Sequence, residues 1–65
     1  MDRIQLVMDL ATHELRMAGS VVSLCSDQYQ LAAAGWAVFH ALEHLGMPAK
    51  LLKLQEDGQL ILCRQ

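Results

Sequence analysis

The residues with the clearest chemical potential are His40, Glu43 and His44, spaced H-x-x-E-H. Positions four apart share a helix face, so imidazoles at 40 and 44 can hold one metal ion while the carboxylate between them handles a proton. Glu14, Cys25 or residues of a second copy could complete such a site. Metal-dependent hydrolysis also needs a further acidic ligand and a substrate cleft, and 65 residues leave little room for either beside a core. Histidine near the carboxyl end of a helix has a plainer role as well, because an imidazolium favours the negative end of the helix dipole. We therefore expect no resident metal or cofactor, and keep a metal-binding or metal-sensing module built on His40 and His44 as the alternative function.

Other chemistry has weaker support. Ser20, Ser23, Ser26, Cys25 and Cys63 lack the glycine-flanked elbow that aims a nucleophile, and the four glycines are isolated rather than gathered into a phosphate-cradling loop. Glu14 projects among apolar positions if its segment is helical, where it must face a histidine or reach Arg3 or water from the rim. The two cysteines read as buried thiols in a reducing cytoplasm, not as a cystine framework. No catalytic residues are expected.

What remains is an aromatic stripe. Tyr29 and Trp36, the only tyrosine and tryptophan, fall two helical turns apart beside His40 and Glu43. Such side chains bury a large area at low entropic cost and are enriched where proteins bind one another. Composition agrees. Hydrophobic residues make up 54% of the chain and charged residues 18%, against a usual ~25% charged, which is more apolar surface than so short a chain hides alone. No stretch approaches the ~20 apolar residues of a membrane span, and Asp2, Arg3 and Asp9 do not fit a signal peptide. A net charge of −2, with Lys50, Lys53 and Arg64 too few to neutralise a row of phosphates, disfavours nucleic acid.

Three elements are expected to position these residues. Residues 31–45 are the most apolar segment, and a central helix over about 28–45 is marked by Asp27 as cap and by Gly46, Met47 and Pro48 as a Schellman stop. Its small-residue arc, Leu31, Ala34, Gly35, Val38, Ala41, Leu42 and Leu45, would admit a second helix closely. That second helix is assigned to about 2–24, where Ile4, Met8, Ala11, Leu15, Ala18, Val22 and Cys25 step by fours and threes behind an Asp2/Gln5 capping box. The alternative ends it at Gly19 and makes 20–24 a strand. After Pro48 the period shortens, and 49–64 reads as a hairpin around Asp57-Gly58, with Leu54 opposite Ile61 on one face and Leu51, Leu60 and Leu62 together on the other.

The expected fold class is α+β, two antiparallel helices followed by a C-terminal β-hairpin (α-α-β-β), as one domain over 1–65 and dimeric. The expected function is a small, non-enzymatic, cytoplasmic protein-interaction module, of bacterial or phage type by its size: a homodimeric regulator or adaptor that binds a larger protein. Tyr29, Trp36, His40, Glu43, Leu51, Leu60 and Leu62 are the partner-binding candidates. A DNA-associated regulator is the second alternative.

Overall fold

In a computed structural model, described over residues 3–64, the chain runs β1 (Ile4–Asp9), β2 (Glu14–Met17), β3 (Ser20–Leu24), α1 (Gln28–His44), β4 (Ala49–Leu54) and β5 (Leu60–Arg64). The five strands make one mixed sheet in the order β3-β2-β1-β4-β5. β1 and β4 pair in parallel, and every other neighbour is antiparallel. The class is α+β, but the arrangement of two helices and a hairpin is overturned: there is one helix, and the hairpin is part of a larger sheet. No helix among the described residues is long and apolar enough to cross a membrane.

The expected helix over 2–24 is replaced by a three-stranded meander. Asp2 lies outside the described residues, and Gln5, its intended capping partner, sits in β1. The apolar spacing that imitates a helix comes from short strands that alternate. Leu6 and Met8 in β1, and Leu15 and Met17 in β2, point to one side, and the residues between them point to the other. Two turns break the segment. Asp9 Oδ1 accepts hydrogen bonds from the backbone N–H of Ala11 (3.0 Å) and Thr12 (3.3 Å), which bends the chain after β1. Ala18 and Gly19 both take positive φ (+52° and +86°) between the paired residues Met17 and Ser20, as a type I′ hairpin turn requires. The strand considered for 20–24 is therefore present, but the residues before it are strands too.

The central helix forms as its caps dictate. Asp27 Oδ1 accepts from Gln30 N at 2.8 Å, and Gln30 Oε1 returns to Ser26 N at 3.0 Å. At the other end Gly46 (φ +76°) donates to Glu43 O and Met47 donates to Leu42 O, the paired bonds of a Schellman motif.

The helix packs on β1, β2 and β4 and seals a core of Leu6, Met8, Leu15, Leu31, Phe39, Leu42, Ala49 and Leu51. Its buried side is centred on Phe39, which the expected arc omits, whereas Ala41 and Leu45 of that arc are exposed. Gly35 does mark a close approach, but to a strand instead of a helix. A Cβ built there would lie 2.6 Å from Met8 Sδ and 2.8 Å from Met8 Cγ.

The hairpin register differs by one residue from expectation. Gln55 N donates to Gln59 O, so the loop is Glu56, Asp57 and Gly58, with Gly58 at φ +85°. This is the three-residue loop closed by a left-handed glycine, not the two-residue turn. Leu54 consequently pairs with Leu60 and Leu52 with Leu62. A slip of one residue exchanges faces, so Leu60 and Leu62 part from Leu51 and join Leu52 and Leu54.

Because the space over Gly35 is filled by a buried side chain, Gly35→Ala should destabilise the protein. Overpacking costs of about 1–3 kcal/mol outweigh the ~1 kcal/mol that alanine contributes in a helix. Denaturant unfolding of Gly35→Ala, Met8→Ala and the double variant should give a coupling of at least about 0.5 kcal/mol, with the double variant less damaged than the sum. A stabilised Gly35→Ala would mean that Met8 yields freely.

Candidate interaction surface

Each strand has one side turned toward the helix side of the sheet and one turned away, and β1, β2 and β4 lie directly under α1. Since Leu6, Met8, Leu15, Ala49 and Leu51 are buried beneath α1, alternation sends Gln5, Val7, Asp9, Glu14, Arg16, Lys50, Leu52 and Leu54 to the opposite face. Pairing extends this assignment outward. Leu60 and Leu62 join through β4, while Val21 and Leu24 join through β2. Among the described residues nothing covers this second face.

Two rows cross it at right angles to the strands. One runs Leu62, Leu52, Val7, Arg16, Val21, and the next runs Leu60, Leu54, Asp9, Glu14, Leu24. The β4–β5 side is thus a quartet of leucines. Leu60 and Leu62 remain 51% and 45% exposed, although each is flanked by another leucine. The β1–β2 part is ionic, and β3 adds two further apolar side chains at its edge.

The ionic strip is internally satisfied. Arg16 Nη2 donates to Glu14 Oε1 at 2.7 Å and lies 3.3 Å from Asp9 Oδ2, while Thr12 Oγ1 donates to Glu14 Oε1 at 2.9 Å. Hydrogen bonding from Arg16, then from Thr12, holds the Glu14 carboxyl below its ordinary pKa, and Glu14 in turn raises the Arg16 guanidinium above its own. Asp9 is already withdrawn from water by its turn and by Arg16.

Both edge strands are interrupted. Val22 is an extra residue in β3, where the pairing shifts between Leu15 and Arg16, and Cys63 is an extra residue in β5, where it shifts between Leu51 and Leu52. Such bulges blunt strand-to-strand addition at an edge, so the unsatisfied surface is the face more than the edges. Cys63, expected to be buried, is exposed at this bulge, and Cys25 is partly buried, 3.7 Å from Ser23 Oγ.

The sequence candidates divide between the two sides of the molecule. Leu60 and Leu62 stand on the uncovered face, but Leu51 is completely buried in the core and is out of a partner's reach. Tyr29, Trp36, His40 and Glu43 lie on α1, on the helix side of the sheet. Tyr29 is exposed beside a cleft of about 200 Å³ that Met8, Leu10 and Lys53 also line. Trp36 is half-buried, edge-on to Phe39 and stacked on His40 with ring centroids 5.8 Å apart. His40 Nδ1 lies 3.1 Å from Glu43 Oε1.

His40 and His44 keep their helical spacing, but Glu14 is on the far side of the sheet and cannot join them as a ligand. Among the described residues no three His, Cys, Asp or Glu side chains gather as a metal-binding group. Sequence reasoning missed Val7, Leu52, Leu54, Asp9 and Arg16. Their signal was the alternation of Gln5, Val7 and Asp9 with Leu6 and Met8, which the longer helical period concealed.

The lowered Glu14 pKa ties stability to acid. A depressed carboxyl contributes stability above its unfolded value and loses it as pH falls through the folded value. Unfolding midpoints should therefore decline below about pH 4.3, the ordinary glutamate value, and Glu14→Gln should flatten that part of the decline. An unchanged acid limb in Glu14→Gln would remove the pair from the account.

No protein-family model matches the chain, and no curated protein or solved structure is significantly similar to it.

Proposed function

We propose that the chain is a non-enzymatic protein-interaction module that works by presenting the uncovered face of its sheet to another protein chain. One observation carries this: a leucine quartet and the neighbouring Val7 lie on a face that no described element covers. Leu60 and Leu62 are its accessible part, since Leu52 is only 7% exposed, and exposed apolar side chains grouped beside a polar strip mark association sites. The first occupant is a second copy of the chain, which doubles the core available to 65 residues. The helix side stays outside such a dimer, leaving Tyr29, Trp36, His40 and Glu43 for a larger protein. Regulation or scaffolding of that larger protein is the corresponding role.

Light scattering at micromolar concentration should report twice the 7.2 kDa chain mass, and unfolding midpoints should rise with protein concentration. Leu62→Asp should abolish both effects while leaving a folded chain, since its site is half-exposed on an edge strand. Leu45→Asp, which changes an equally apolar but helix-end position, should leave the mass at the dimer value. A dimer that survives Leu62→Asp would move the interface away from this face.

A further inference from the structure

The uncovered face carries more than apolar area, because its charges are placed with respect to its leucines in a way that selects an orientation. We infer that the second copy seats face to face and antiparallel, about a two-fold axis that crosses the strands midway between the two rows. This rests on the face being the interface, as proposed above.

A two-fold axis in that position exchanges the rows, leaving each strand over its own counterpart. Leu62 then meets Leu60 of the second copy, and Leu52 meets Leu54, so the quartet closes on itself. Arg16 meets Glu14 of the second copy, adding to each copy's own Arg16–Glu14 pair. Val21 meets Leu24 at the β3 edge. The remaining match sets Val7 over Asp9, whose carboxylate is already satisfied by two backbone N–H groups and Arg16, and is only 4% exposed before any partner arrives. Covering it removes little further water.

The same axis carries Lys50, beyond one end of the quartet, over the hairpin loop of the second copy, where Glu56 follows Leu54 and Gln55 at the loop's start and stands at the rim, since the loop also borders a hollow shared with Gln28 of α1. Opposite charges thus bracket the leucines along β4.

The other simple stacking, with the axis parallel to the strands through β1, exchanges β2 with β4. It sets Arg16 over Leu52 and Glu14 over Leu54, burying charges against hydrocarbon without new partners. Aligned packing of two sheets is an established geometry, and a standard interface of about 800 Å² per partner is roughly a fifth of this chain's 4228 Å² surface.

Lys50 and Glu56 supply the test, because neither is paired within the hydrogen-bond network of the strip. Lys50→Glu and Glu56→Lys should each weaken the dimer about tenfold at low salt, and the double variant should recover to within about threefold of wild type, as read by dilution light scattering or sedimentation. Circular dichroism of each variant at a dimer-saturating concentration checks the fold. If Leu62→Asp dissociates the protein but the charge reversals have no effect, or the double variant is no better than the singles, the interaction face stands and the antiparallel stacking is wrong. A wild type that is monomeric up to the highest soluble concentration overturns the second copy as occupant, and a larger protein chain then holds the face.

Discussion

A single 17-residue helix has to close the core of a five-stranded sheet, and it can do so on one face only. Strands lie about 4.8 Å apart, so five span about 19 Å, whereas a helix with its side chains is about 10 Å across. The helix accordingly sits over the middle of the sheet, on β1, β2 and β4, and the outer strands extend past it. Its depth of contact is set where backbone meets side chain, at Gly35 over Met8. Everything apolar that the helix shelters is core, whereas the apolar residues of the reverse side are covered nearly completely at Leu52 and only by about half at Leu60 and Leu62.

That division explains why the leucines of the hairpin behave so differently. Leu51 and Leu52 are adjacent in sequence and both nearly inaccessible, yet Leu51 is enclosed by the helix and Leu52 only by its neighbours on the sheet. The ionic strip across β1 and β2 plays the complementary part, since hydrogen bonds among Asp9, Glu14, Arg16 and Thr12 satisfy charges that are partly withdrawn from water. A face composed of leucines beside a self-satisfied ion network is suited to a specific partner. Unpatterned hydrocarbon would accept many.

The sequence made the helix legible because its ends are chemically explicit: the Asp27 carboxylate caps one and left-handed Gly46 with its two backbone bonds closes the other. The hairpin was legible as a hairpin, but Asp57-Gly58 suits both a two-residue turn and the end of a three-residue loop, and only the latter places Leu60 and Leu62 beside Leu52 and Leu54. The N-terminal meander was misread for a physical reason. Strands of four to six residues joined by tight turns place apolar residues at spacings that coincide with helical steps, and Ala18, a good helix former, occupies a left-handed turn position. Of the candidate surface, the aromatic stripe was visible as a helix face, whereas the sheet face depends on β1 lying against β4, a contact that no local pattern announces.

The parallel pairing of β1 with β4 also governs the order in which the molecule can be made. The two strands come from opposite ends of the chain, with the meander and the helix between them. The meander is local and can form as soon as its residues are available, but β1 reaches its central place in the sheet only when β4, late in the chain, pairs along its open edge. Until β4 arrives, α1 can rest only on β1 and β2, the core lacks Ala49 and Leu51, and the edge of β1 is open. During synthesis this chain therefore stays without a complete core until its final third has been made, which makes its early life dependent on speed of closure and on the company it keeps.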